Sequence, residues 1–295
     1  MTLALLGLYL AVVGFALPRR LAGSPRLQAH PAAGAALWLA LMASFLVALL
    51  PAAHHATGPF AHEPAGLVGL IPHAEPAVPL APHTHDWWLL TAAAAGLGAV
   101  VAAVGVRAGR MRRRHRAVLD LVTVRDRQWD ALVLEHAYPT VYCLPGRRSR
   151  VVVSRGALDL LDERQLAAAV AHEREHIRGR HHLFRLPADA FALFLGRLPL
   201  ARRGRAEVAL LLEMAADDAA LTRVSRSELA SALCALATSP APPGGALGVA
   251  STGVLARVRR LARPGVGGRR RQLAWRMGVL ATPLLPYLLA CAPHP

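Results

Sequence analysis

The chain contains no lysine. All 34 of its basic residues are arginine, set against 18 acidic residues for a net charge of +16. With abundant Ala, Pro and Gly, this usage fits the codon bias of a GC-rich genome. Cysteine is scarce. Cys143, Cys234 and Cys291 show no CxxC spacing, which excludes a disulfide framework and a thiolate metal site. No positive charge precedes the first apolar run, where a cleaved signal peptide would carry it. Strand signals are rare as well. Thr140–Leu144 and Arg150–Ser154 flank a Pro145-Gly146 turn and predict a β-hairpin; the rest of the chain reads as helix or loop. Strong basicity often marks nucleic-acid binding, but here the arginines flank apolar segments, as they do in membrane proteins. Direct nucleic-acid binding is not expected.

What the chain has in quantity is apolar sequence. Of 295 residues, 54% are hydrophobic and the mean hydropathy is positive. Four runs are candidates for membrane spans: residues 2–17, 32–53, 87–106 and 273–292. Trp87 and Trp88 stand where an aromatic belt would lie. Arg276 is close enough to the end of the last run to snorkel, and Pro283 and Pro286 are expected to bend that run. The segment 18–31 carries Arg19, Arg20 and Arg26; the segment 54–86 carries no arginine; six arginines lie between Arg107 and Arg116; and Arg269, Arg270 and Arg271 precede the last run. Basic loops stay cytoplasmic, so the expected topology is a multi-pass cell-membrane protein with both termini outside and residues 107–272 inside. The expected organisation is therefore residues 1–106 as a three-span membrane region, 107–272 as a cytoplasmic domain, and 273–295 as a last span with a short external tail. The segment 54–86 holds His54, His55, His62, His73, His83 and His85. His-rich tracts can hold metal, although a flexible external loop with incidental histidines is the simpler reading. Residues 239–248 read as a linker, and 113–135 shows apolar positions at helical spacing. Leu183–Leu200 reads as a helix packed on the domain or lying on the membrane surface.

The chemistry concentrates at Ala171-His-Glu-Arg-Glu-His176. Asp162 three residues before Gln165 is a capping-box signal that starts a helix, and Gly179 ends it. His172 and His176, four apart, share a face and can turn their imidazoles to one ion. Glu173 is rotated about 100° from His172, so it is poorly placed as a ligand and well placed as a general base. This is the logic of HExxH. The motif is short enough to occur by chance, but the apolar run Ala167–Ala171 leads directly into it. A catalytic zinc needs a third protein ligand and an open position. His181 and His182 lie just past Gly179, too near to be brought round easily, and Glu175 faces away from the histidine pair. Glu213 is the best candidate, on an apolar helical segment where an acid is costly unless it is paired or bound to metal. Asp217, four residues on, can accept the far N–H of a ligating histidine. Asp218 points elsewhere and reads as solvated.

AHEREH, the later Glu213-Met-Ala-Ala-Asp217, and CLPGRRSRVVVSRGALDLL at 143–161 together resemble the BlaR/MecR-type antirepressor membrane metallopeptidases. More distantly they resemble the CAAX-protease and heat-shock membrane zinc peptidases. The likeness spans about residues 85–265. It implies a mainly α gluzincin in which a zincin-like helical domain bears the small hairpin. One zinc per chain would sit on His172, His176 and Glu213, with Glu173 as base and acid and Asp217 in support. It also implies that the Tyr142–Ser154 hairpin borders the cleft. There Val151, Val152 and Val153 would form an edge that holds an extended substrate by strand addition, followed by a turn at Arg155-Gly156. The implied partners are the lipid bilayer and a protein or peptide substrate, such as a cytoplasmic transcriptional repressor in a signalling pathway. A housekeeping protease for damaged membrane proteins, or a non-catalytic metal sensor or carrier fed by the external histidines, are the competing readings. The β-lactam sensors of this type carry a large extracellular penicillin-binding domain after the last span. This chain ends at Pro295, so direct antibiotic sensing is not expected.

Overall fold

A computed structural model describes residues 2–57, 84–146, 148–239, 247–263 and 282. The predicted span at 273–292 therefore lies outside the described residues apart from Thr282, as does most of the His-rich segment. The protein is mainly helical with one small sheet. At the N-terminus α1 (Thr2–Ala11) runs through a π-helical turn (Val12–Ala16) into α2 (Leu17–Leu21). A short α3 (Pro25–Ala29) leads to the long α4 (Pro31–Thr57). Two stretches here, Leu3–Leu21 and Pro31–Leu49, are helical, long and apolar enough to cross a membrane, matching the first two expected spans. The third lies within α5 (Thr84–Val122), a single helix of 39 residues. No break marks the predicted boundary at residue 106.

The helix expected over 113–135 stops at Val122, which corrects that reading. The Thr123 hydroxyl donates to the Leu119 carbonyl at 2.6 Å as the chain leaves the helix. It then forms β1 (Thr123–Asp126) and β2 (Ala131–Leu134). The predicted hairpin is present as β3 (Val141–Leu144) and β4 (Arg150–Ser154). It is half of a four-stranded sheet of order β1-β2-β4-β3, in which β2 and β4 run parallel and the other pairs antiparallel. This order corrects a second expectation. Val151, Val152 and Val153 belong to a central strand, hydrogen-bonded on both sides and buried. They cannot offer an edge; among the described residues the free edge beside them is β3.

The crossover from β2 to β3 is locked by two residues. The Ser154 hydroxyl donates to the Tyr138 carbonyl at 2.8 Å and accepts from the backbone N–H of Thr140 at 2.9 Å and of Ala157 at 3.1 Å. The last of these bonds caps α6 (Arg155–Leu160). Gly156 donates to the His136 carbonyl at 3.0 Å. A Cβ placed on it would lie 2.0 Å from the Ala137 carbonyl oxygen, so the turn expected at Arg155-Gly156 admits no side chain.

Helix α7 (Glu163–Arg178) starts as its sequence predicts. The Asp162 carboxylate accepts from Gln165 N at 2.8 Å, and the Gln165 side chain accepts from Asp162 N at 3.2 Å. Leu166, Ala169 and Val170 bury its apolar face against Val151 and Val153 of the sheet and Leu229 and Ala232 of a later helix. Full burial of an aliphatic side chain contributes about 1.5–3 kcal/mol, enough to fix the helix's rotation and so the direction of its histidines. Next come α8 (His181–Leu195), α9 (Pro199–Ala220), α10 (Arg226–Thr238) and α11 (Leu247–Leu261). Helix α8 packs through Ala188 and Phe191 into the apolar cluster that α9 shares with the candidate span α4, with Phe191 edge-on to Phe45, and leaves Leu183, Phe184, Leu193 and Phe194 exposed. Helix α9 is anchored on the candidate span α4. Leu211 lies against Gly34, and Gly204 lets Trp38 and Met42 approach closely, a Cβ there lying 3.1 Å from the Trp38 ring and 2.4 Å from the end of Met42. The helix that carries Glu213 is thus fixed against an apolar N-terminal helix.

Candidate metal centre

The two sequence motifs meet. His172 and His176 on α7 face Glu213 on α9. His172 Nε2 lies 3.1 Å from His176 Nε2 and 3.3 Å from Glu213 Oε2, and His176 Nε2 lies 3.3 Å from Glu213 Oε1. Zinc–ligand distances of about 2.0–2.1 Å put the corners of a tetrahedron about 3.3–3.4 Å apart. Each imidazole stands at that spacing from the other and from one oxygen of the Glu213 carboxylate, and the three residues form a cluster that could hold a metal ion. The charge also suits a divalent cation. Glu173, Glu213 and Asp217 bring three carboxyl groups against the single guanidinium of Arg257.

Each donor is oriented from behind. Asp217, one turn after Glu213, is buried, and its Oδ1 lies 3.0 Å from His172 Nδ1. An imidazole that offers Nε2 to an ion carries its proton on Nδ1, so His172 donates to Asp217. His176 Nδ1 lies 2.9 Å from His181 Nδ1, and by the same rule His176 donates to His181. Sequence reasoning had set His181 aside as too near. The chain turns sharply at Arg180, whose φ of 49° is left-handed, and Gly179 leaves room for the imidazole; a Cβ there would lie 2.4 Å from His181 Nε2. Arg257 had no local signal at all. It reaches in from α11, buried, and donates to Asp217 through Nε at 2.8 Å and Nη2 at 2.7 Å, and to Glu213 through Nη1 at 3.0 Å. This forked, charge-assisted contact ties the two acids of α9 together.

The remaining acids fall as follows. Glu173 lines a cavity of about 250 Å³ together with Tyr142, Cys143, His176, His181 and Glu213. Glu175 is buried away from the cluster and pairs with Arg178 and Arg223. Asp218, expected to be solvated, has a side chain 40% exposed and also accepts from both Nη atoms of Arg260 at 2.6 Å.

The electrostatics separate the acids by role. Burial raises the Glu173 pKa above the ordinary glutamate value, while His172 and His176 pull against that rise. Burial also opposes charge on Glu213, but hydrogen bonds from His172 and His176 and the nearby Arg257 overcome it and hold this carboxyl well below the usual range. Asp217 is lowered in the same way, chiefly by its bonds from Arg257 and His172 after burial is overcome. His181 is pushed down to about 4 by burial and by His176, which keeps it a neutral acceptor. Burial opposes charge on His172, yet its bonds to Asp217 and Glu213 raise its pKa to about 9, so an ion binding there competes with a proton.

The open side of the cavity is bounded by β3. Ser154 N donates to Thr140 O, so Thr140 opposes Ser154 in a hydrogen-bonded pair, and with that register Tyr142 and Leu144 also bond to β4. The backbone N–H and C=O of Val141 and Cys143 then point to the free edge. No curated protein and no solved structure matches the chain. Residues 106–238 match the family model described as Peptidase family M48. The matched segment contains His172, Glu173, His176, Glu213 and Asp217, and nothing in the match singles out the antirepressor type of the sequence resemblance. Two helices with the dimensions of membrane spans, a cluster fit for a metal ion and a match to Peptidase family M48 over residues 106–238 together support a metallopeptidase associated with a membrane.

Proposed function

We propose that the protein is an integral membrane zinc endopeptidase with one zinc per chain on His172, His176 and Glu213, and with its site on the cytoplasmic side. The observation that carries this is the convergence of the two imidazoles and the Glu213 carboxylate, at 3.1–3.3 Å, beside Glu173. Zinc, when bound, supplies Lewis acidity to the scissile carbonyl and to water. The chain's own residues do the rest. Glu173, with a pKa raised towards the working range of a general base, takes a proton from the attacking water and passes it to the leaving amine. Asp217 holds the His172 ring, His181 holds the His176 ring, and Arg257 holds both acids of α9. An extended substrate adds to β3 through the free backbone groups of Val141 and Cys143, which places a main-chain carbonyl over the cavity. The Pro31–Leu49 helix on which α9 is anchored supports a lipid bilayer as the setting.

The finer substrate, a cytoplasmic repressor, rests on the resemblance of AHEREH, Glu213-Met-Ala-Ala-Asp217 and the 143–161 segment, a fold-level analogy. Full-length protein with Glu173→Gln is the test. It should keep its zinc and lose cleavage of a peptide substrate, and it should hold substrates in a trap. One dominant DNA-binding protein in the trap supports the signalling role, and a broad set of membrane proteins supports quality control instead. Undiminished turnover by Glu173→Gln would remove Glu173 from the mechanism.

A further inference from the structure

A larger cavity of about 550 Å³ lies away from the metal centre, at the rim of the sheet where the parallel strands β2 and β4 begin. Five arginines from four elements line it: Arg125 of β1, Arg148 of the β3–β4 turn, Arg150 of β4, and Arg174 and Arg178 of α7. Only two acids face them. Asp130 pairs with Arg125 at 2.8 Å, and Asp120 pairs with Arg150. Arg174 is fixed by donating to the Trp129 carbonyl at 2.7 Å, and Arg178 by its bond to Glu175, which lies outside the cavity. Arg148 makes no hydrogen bond or ion pair among the described residues. With Arg125, Arg150 and Arg178 each held in an ion pair, Arg148 and Arg174 leave the lining two uncompensated positive charges, and most of its guanidinium groups are already oriented.

The geometry points to a binding site for a phosphate-bearing anion with two or more negative charges. Clustered guanidinium groups recognise that chemistry by forked, charge-assisted hydrogen bonds, and the volume falls in the range of small-molecule sites. Such an anion could be a soluble compound or a lipid headgroup. The position favours the soluble source. Asp120, on the cavity wall, lies fourteen residues beyond Val106, where the apolar part of α5 ends, which is about 20 Å along the helix axis. With the bilayer surface set at Val106 and α5 along its normal, the cavity stands clear of the headgroups.

The site is independent of the peptidase reading, since none of its arginines touches the metal cluster. The test uses the purified full-length protein in detergent, with pyrophosphate and inorganic phosphate as probes in calorimetric titrations at two salt concentrations. A parallel titration uses the protein in nanodiscs with and without phosphatidic acid. Pyrophosphate is expected to bind once per chain and more tightly than phosphate, and to weaken with salt. Arg148→Glu and Arg125→Glu should each weaken it by about tenfold or more. Arg112→Ala, on α5 outside the cavity, should leave it unchanged. Arg148 and Arg125 are exposed, so both variants should fold, and an unchanged circular dichroism spectrum checks this. Equal affinity in wild type and Arg148→Glu, an equal loss in Arg112→Ala, or several equivalent sites per chain would overturn the assignment. Binding seen only with phosphatidic acid would overturn the soluble source.

Discussion

Replacing Asp217 by Asn keeps the shape of a buried side chain and changes only its charge and one acceptor. In the wild type Oδ1 accepts from His172 Nδ1 at 3.0 Å and from Arg257 Nη2 at 2.7 Å, while Oδ2 accepts from Arg257 Nε at 2.8 Å. An asparagine can supply the first oxygen but then sets its amide N–H against the Arg257 Nε–H, donor against donor. Removing one partner of a buried ion pair costs about 3–5 kcal/mol. Arg257 retains Glu213 at 3.0 Å, so the stability loss should fall at the low end, about 3 kcal/mol. Metal affinity should fall separately. Loss of the carboxylate behind a ligating histidine typically costs 10- to 100-fold, or about 1.4–2.7 kcal/mol. Competition with a chelator of known affinity reads the second quantity in folded protein, and thermal unfolding of the chelator-stripped protein reads the first. Zinc affinity within about twofold of wild type, with stability reduced, would show that Asp217 only braces the fold and would refute its role in orienting His172.

Three further outcomes follow from the same structure. Because burial raises the Glu173 pKa and the base must be ionised, kcat/KM should fall on the acid side at a pH above the ordinary glutamate value of 4.5; a pH–rate profile whose acid limb lies below 4.5 would contradict this. Gly156→Ala forces a methyl group to within 2.0 Å of the Ala137 carbonyl and should cost at least about 1–3 kcal/mol by chemical denaturation, with no loss expected if the turn relaxes freely. Val141→Pro removes an N–H that points to the free edge of β3 while sparing the bonds to β4. It should raise KM for extended peptides by about 5- to 10-fold, the worth of one hydrogen bond, whereas an unchanged KM would argue against strand addition.

What the sequence disclosed were the features with local causes. The capping box at Asp162 and Gln165 and the Pro145-Gly146 hairpin depend on neighbours a few residues away and stand as read, and the four-residue spacing of His172 and His176 brings the two rings together. Glu213 and Asp217 were legible because acids on an apolar helix need a reason. The misreadings share a different origin. Leu121 and Val122 do end a helix, but Trp129, Leu132 and Val133 continue its spacing by coincidence, and the strands β1 and β2 that follow are four residues each, too short for a period to show. The central place of β4 follows from its parallel pairing with β2, a non-local contact. Arg257 meets its partners across 40 and 44 residues, beyond a linker, and Arg260 finds Asp218 in the same way. His181 was set aside on chain stiffness, which a single left-handed residue at Arg180 defeats.

The coordination of the ion itself bears most directly on the account. X-ray absorption at the zinc edge on the purified full-length protein should show two imidazole nitrogens and one carboxylate oxygen at about 2.0–2.1 Å with a further light-atom ligand, and Glu213→Gln should abolish the carboxylate contribution and most of the bound zinc. A sulfur at about 2.3 Å from Cys143, a third imidazole from His181, or full zinc content in Glu213→Gln would contradict it.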